Sequence, residues 1–384
     1  MIEPYGGKLV ERIADESHAA KLIDEAKELP VLHPFIDQVY DAEKICTGAY
    51  SPLEGFMCRE EFESVLSNER LPGGLPWTLP VFLAPSNRED EHTISVARPS
   101  DSLALSDGTG KIFAIFTLEE KFEYSRDALA KSVYGTTDRS HPNVADIANL
   151  STTAAGGKVL LLRRLDHGGF EYTPRETRAH FEKMGWHSVA GYQARNPPHT
   201  AHEYIQRLTL EREDVDALLI QPIIGRLKKG DYRPDVIMRA YNAFVSSYYP
   251  GERVMLASLS ITMRYAGPKA VLFYAIIRRN YGCSHYIIGR DQAGVGSFYD
   301  PYAAHRIFDR LDVGVVPLRY GETFFCRKCG VMASRKVCPH GDEFHESTSQ
   351  TRIRKLLSEG KPLPSEILRP EVADILREGD VIGD

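Results

Sequence analysis

Apolar and polar positions divide the chain into three stretches of different texture. Up to about residue 160 the apolar runs are short and bounded by Gly, Pro, Asp and Ser. Residues 77–83, 93–96 and 111–116 have the length and flanks of β-strands, and helical spacing falls near 15–27 and 58–67. This pattern predicts a mixed domain around a small barrel, ending beyond Gly156 and Gly157 near residue 165. From about 170, strands and helices alternate. Residues 216–224 read as a buried strand ending at Gly225, 254–259 as another, 269–280 as a helix, and 284–288 as a strand entering Gly289. Strands separated by helices of this length indicate βαβ units and a parallel sheet, whose ligands lie at the carboxyl ends of the strands. The last 60 or so residues hold a cysteine cluster and two short helices. The expected division is 1–165, 166–320 and 321–384, α/β overall, with a small α domain at the end.

Composition narrows the partners. The 384 residues are 42% hydrophobic and 26% charged, with a net charge of −6. Such a balance is that of an ordinary globular protein and speaks against a general nucleic-acid or membrane-surface binder. An anionic small substrate stays open, because a few placed arginines suffice. No basic start followed by an apolar run opens the chain, and the longest apolar stretch, 270–277, falls far short of the ~20 residues of a membrane span. Three of the six cysteines, Cys326, Cys329 and Cys338, lie close together while the others are scattered, which reads as metal binding in a reducing compartment. A cytoplasmic protein is expected.

The chemistry gathers in loops that leave predicted strands. Gln193, Arg195, Asn196, Pro197, Pro198, His199 and His202 fall within ten residues, and the prolines suit a turn opening a helix. His199 and His202 then share one face of its first turn, beside free N–H groups that favour an anion. The plainer alternative is a polar helix cap with satisfied histidines. A second loop, 225–231, carries Arg226, Lys228 and Lys229, and a third, 289–296, carries Gly289, Arg290, Asp291, Gln292, Ala293 and Gly294. Glycines there let the backbone approach a ligand and Arg290 offers a fork to phosphate or sulfate, although a tight turn needs no more than the same glycines. Arg264 precedes the 269–280 helix and either joins the anion site or is solvated. At 349–354, Ser349 can cap a helix whose first turn carries Arg352 and Arg354, an unfavourable place for cations unless they meet an anion. Cys326, Cys329 and Cys338, followed by His340 and His345, form a closed structural zinc set of three thiolates and one imidazole. His345 is the expected fourth ligand, since His340 lies only two residues past Cys338.

Together these residues resemble the sulfate adenylyltransferase (ATP sulfurylase) family. Its Gln-x-Arg-Asn-Pro-x-His-x-x-His pattern is similar to 193–202, and its Gly-Arg-Asp-His-Ala-Gly loop to 289–294, with Gln292 in place of histidine. Its Arg-x-Ala-Gly-Pro-Arg-Glu segment is similar to 264–270, where Lys269 and Ala270 depart, and its N-terminal segment to 48–57. The cysteine cluster resembles the zinc-bearing bacterial and archaeal branch. No kinase-like segment follows Asp384, so the fused bifunctional form is not expected.

The resemblance implies an N-terminal PUA-like domain, a Rossmann-like nucleotidyltransferase domain and a small zinc-bearing domain. It implies that ATP and sulfate give adenosine 5′-phosphosulfate and pyrophosphate, with Mg²⁺ arriving on ATP and a homodimer as the assembly. Arg195, Asn196, His199 and His202 are then the catalytic candidates. Gln193 and Arg195 would take sulfate; Gly289, Arg290, Asp291, Gln292, Ala293 and Arg264 would take the nucleotide. The histidines would stabilise charge on the transferred and leaving phosphates. Alternatives are a related nucleotidyltransferase with another oxyanion acceptor, or a non-catalytic PUA-like RNA binder.

Overall fold

A computed structural model describes residues 1–226, 230–378 and 381–383. In the first 165 residues, strands β1 (Val31–Leu32), β2 (Gly55–Phe56), β3 (Ser102–Ser106), β4 (Ile112–Glu123) and β5 (Thr153–Leu161) form one sheet in the order β1-β3-β4-β5-β2. Only β1 and β3 run parallel. The Glu16–Ala26 and Arg59–Asn68 helices fall where spacing predicts them. Two expected strands do not form. Residues 93–96 end a helix, Arg88–Val96, because the Asn87 side chain caps it by accepting from the Asp90 amide at 2.8 Å, and Glu89, Asp90 and Glu91 fill its first turn. Four apolar-alternating residues cannot outweigh such a start. Residues 77–83 are extended and largely buried, but Pro80 breaks their donor row, and a single bridge from Leu83 to Ala155 joins them to the sheet.

The second unit is a parallel sheet of β6 (Val189–Ala194), β7 (Ala217–Pro222), β8 (Val254–Leu256), β9 (His285–Ile288) and β10 (Val316–Arg319), ordered β10-β9-β6-β7-β8. Every pairing is parallel. The crossovers run through the Thr200–Leu210, Pro234–Tyr248 and Pro268–Asn280 helices. The last two begin on prolines whose missing N–H is no loss at a helix start. The chain winds outward one way from β6 through β7 and β8, then returns to β6's other edge as β9. That reversal opens a crevice between the carboxyl ends of β6 and β9.

The apolar run 270–277 is the buried side of the crossover before β9, with all eight residues fully enclosed. It packs between the sheet and the N-terminal unit, sharing one core with Tyr50 and Trp77. A second core covers the opposite face and includes Ile353 and Val372 from the Gln350–Ser358 and Pro370–Arg377 helices. A buried ion cluster also ties the units: Lys44 Nζ lies 2.7 Å from both Glu43 and Glu171, and His167 lies 2.6 Å from Glu43. Beyond residue 320, the expected α domain proves to carry a small antiparallel sheet as well, β12 (Val331–Ser334), β11 (Thr323–Cys326) and β13 (His345–Glu346), in strands too short to register as periodic. Among the described residues no helix is long and apolar enough to cross a membrane.

Candidate active site

A cavity of about 490 Å³ occupies the crevice where the strand order reverses. Gln193, Arg195 and Asn196 enter it from the end of β6, His199 and His202 from the helix that follows, and residues 289–294 from the loop after β9. Residues 320–323 and 347–350 complete the wall. The two motifs that lie almost a hundred positions apart in the chain therefore face one space.

His199 is the N-cap residue of the Thr200–Leu210 helix, with extended backbone at φ −136° and ψ 171°. One helical turn brings His202 onto it, the rings stacking with centroids 3.7 Å apart. The Nδ1 atoms of both are buried, with no hydrogen-bond partner among the described residues. Burial pushes the His202 pKa down to about 4. Burial, reinforced by His202, holds His199 well below its usual value. The free protein thus presents two neutral imidazoles with unused ring nitrogens, which is not the satisfied cap of the plainer reading.

Arg195 is held rather than free. Its guanidinium meets Asp231 at 3.1 Å, reaches the Tyr265 hydroxyl, and stacks over the Tyr265 ring at 4.9 Å. Asn196 is held by Arg354, whose Nη2 donates to its Oδ1 at 2.9 Å. Ser349 caps the Gln350–Ser358 helix through the Arg352 amide, so the hydroxyl reading of that segment holds. Arg352 pairs with Glu346, Arg354 stacks on Tyr232, and Gln350 donates to the Pro197 carbonyl at 2.9 Å. Tyr265, Asp231 and Arg354 thus support the motif. Of these, Arg354 had a visible sign in the sequence, a cation at a helix start, whereas Tyr265 had none.

The loop after β9 is pinned through Gln292. Its Nε2 donates to the Tyr286 hydroxyl at 2.8 Å, its Oε1 accepts from the Gly289 amide at 3.0 Å, and the same tyrosine donates to Gln193 Oε1 at 3.2 Å. A neutral amide can donate and accept at once, so Gln292 links loop and motif. Asp291 and Ala293 adopt left-handed backbone, φ 54° and 58°, unusual for residues with a Cβ. Arg290 is exposed and makes no ion pair among the described residues.

Arg264 does not reach this site. Its buried guanidinium pairs with Asp41 and approaches Tyr50, lining a separate cavity beside Asp37. Asp41, 223 positions upstream, draws it toward the N-terminal unit. Arg226 likewise turns away, to Asp37 at 3.0 Å and to Asp146. Of the same loop, Leu227, Lys228 and Lys229 lie outside the described residues.

The cysteine cluster forms with a different histidine from the one expected. His340 Nδ1 lies 3.4, 3.2 and 3.8 Å from the sulfurs of Cys326, Cys329 and Cys338, and the four donor atoms lie within 4.8 Å of one another. The short span after Cys338 suffices because the near ring nitrogen is the one turned inward. His345 instead stacks on Phe324 at 3.6 Å, with Nε2 3.5 Å from the Cys338 sulfur alone.

A parallel sheet whose strand order reverses above a mixed, cation-bearing cavity defines a nucleotide-binding α/β protein. Comparison with known proteins narrows the class. Residues 169–379 match the ATP-sulfurylase family and residues 2–164 match the PUA-like domain. A sulfate adenylyltransferase of Symbiobacterium thermophilum is 45% identical over 98% of this chain and 96% of its own. One from Halothermothrix orenii is 40% identical over 99% of both. The solved hexameric APS kinase from Thiobacillus denitrificans shares the fold with a TM-score of 0.78 and 27% identity, over 99% of this chain and 69% of that one. The chain belongs to the sulfate adenylyltransferase family.

Proposed function

We infer that the protein joins sulfate to the α-phosphate of ATP, giving adenosine 5′-phosphosulfate and pyrophosphate in a reversible reaction. The observation that carries this reading is the meeting of the 193–202 motif and the 289–294 loop in one crevice, in a chain of this family. A sulfate oxygen attacks the α-phosphorus as the bond to the bridging oxygen of pyrophosphate breaks; no proton has to move. Sulfate is a weak nucleophile, so rate comes from alignment and from stabilising charge on the phosphoryl oxygens.

Gln193 and Arg195 bind sulfate, and Arg195 arrives preoriented by Asp231 and Tyr265. Asn196, steadied by Arg354, orients the α-phosphate. His199 and His202 present their unused nitrogens to the transferred and leaving phosphates, whose charge favours protonation of the rings. Residues 289–293, with Arg290, hold the nucleotide. Mg²⁺ would come with ATP, bound by phosphate oxygens and water, and would offset phosphate charge. Three thiolates and the His340 imidazole fit a structural zinc, four protein donors leaving no position for water. The functional division is 1–165, 166–320 and 321–384, in a cytoplasmic homodimer.

The test is pyrophosphate release from Mg·ATP with sulfate, molybdate or an organic phosphate as acceptor. Release with sulfate and molybdate is expected. Release with the organic phosphate alone would point to another acceptor and end this reading.

A further inference from the structure

Arg278 is an outlier in this molecule: a fully buried guanidinium that has no carboxylate within ion-pair distance among the described residues. Among the described residues its guanidinium makes one hydrogen bond, from Nη2 to the Gln221 backbone carbonyl at 3.2 Å, while Nε and Nη1 have no partner. The Gln221 side-chain oxygen is buried too, with no partner among the described residues. Among the described residues the other fully buried cation, Lys44, is paired with Glu43 and Glu171, and the largely enclosed Arg264 is paired with Asp41. An enclosed, uncompensated cation is costly, so its persistence calls for an anion that completes it.

The side chain lies beneath β6 and β7, the two strands that carry Gly191 and Gln221. It runs from the last turn of the Pro268–Asn280 helix under Gly191, where any Cβ would sit 2.6 Å from Arg278 Cγ. The glycine is therefore needed to let the arginine pass. Beyond it, Gln221 is the register partner of Gln193, and Gln193 lies two residues past Gly191 on the same face of β6. Gln193 accepts from the Tyr286 hydroxyl. Burial pushes the Tyr286 and Cys283 acids upward, and the Arg278 charge is the main influence opposing that rise at both.

Beside Gln193 and Arg195 the cavity supplies little net positive charge; Arg290, which makes no ion pair among the described residues, lies on the loop after β9 that is assigned to the nucleotide. Arg195 and Arg354 share Asp231, and both histidines are neutral in the free protein. We propose that Arg278 is a positioning residue for the oxyanion: its unpaired charge, enclosed beneath β6 and β7, draws a divalent tetrahedral anion onto Gln193 and Arg195 without touching it. This rests on the assignment of sulfate to Gln193 and Arg195. Low-dielectric surroundings carry such a field over several ångströms, and a dianion feels it twice.

Three variants test this in the intact protein, with KM for sulfate and for ATP measured separately and folding followed by thermal melting. Arg278→Met should raise the sulfate KM about tenfold or more while the ATP KM changes less than about twofold. Arg278→Lys, which keeps the charge, should restore most of the loss. Gln221→Glu gives the guanidinium a buried partner, so it should melt no lower than wild type and yet show a raised sulfate KM; it decides the matter if Arg278→Met does not fold. Active wild type with an unchanged sulfate KM in folded Arg278→Met or in Gln221→Glu overturns the proposal and leaves the functional reading intact. Equal rises in both KM values would also overturn it, reducing Arg278 to a packing role. Wild type that shows no sulfate-dependent reaction would overturn the functional reading, and this inference with it.

Discussion

Lowering the pH should destabilise this protein through His202, and removing that ring should remove the effect. Burial holds the His202 pKa near 4 in the folded chain, against the usual 6.5 for an unfolded histidine. The sign follows from proton counting. Between those values the unfolded chain binds a proton that the folded chain refuses, so acid favours unfolding. The stabilisation due to the neutral ring is complete above pH 6.5 and is lost as pH falls toward 4. At pH 5 the loss amounts to about 2 kcal/mol, from 1.36 kcal/mol per pH unit over the interval below 6.5. The His199 ring stacks on His202 and the Tyr192 ring meets it edge-on at 5.7 Å, and among the described residues no carboxylate pairs with either histidine. Urea unfolding of wild type and His202→Asn at pH 7.5 and pH 5 measures the difference. The wild type should lose about 2 kcal/mol more than the variant over that interval. Identical losses in the two proteins would mean that the His202 ring titrates normally, and that the free site is not the pair of neutral imidazoles described above.

Other outcomes follow from the same geometry. His202→Ala should lower kcat far more than it changes the ATP KM, since contacts made chiefly in the transition state act on kcat; a change confined to KM would remove the catalytic role. Arg195→Ala should cut kcat/KM for sulfate by at least about 100-fold, some 3 kcal/mol, with an unchanged circular-dichroism spectrum, and near-normal turnover would take Arg195 out of the mechanism. Elemental analysis should find one zinc per chain in wild type and His345→Ala but little in His340→Ala; the reverse pattern would reinstate His345.

The sequence carried more of the site than of its supports. The histidine pair, the amide and arginine beside it, and the loop after β9 are short-range patterns, and the alternation of strands and helices placed both at strand ends. Partners chosen across long separations were invisible. Arg264 looks like a site residue until Asp41 takes it, and Arg226 until Asp37 does. Tyr265 and Tyr286 appear in the sequence as ordinary aromatic residues; only folding sets their hydroxyls on Arg195 and Gln193. Residues 93–96 failed as a strand because their apolar spacing is too short to separate two periods, and the deciding signal was the Asn87 cap six residues before. The choice between His340 and His345 turned on which ring nitrogen faces the sulfurs, a matter of rotamer that spacing cannot express.

The central claim is tested most directly in the reverse direction. Purified protein is given adenosine 5′-phosphosulfate, pyrophosphate and Mg²⁺, and ATP is followed by luminescence. ATP formation that requires both substrates, and that is lost in Arg195→Ala, is the expected result. A folded wild-type protein that forms no ATP from them would contradict the assignment of this crevice to adenylyl transfer between sulfate and pyrophosphate.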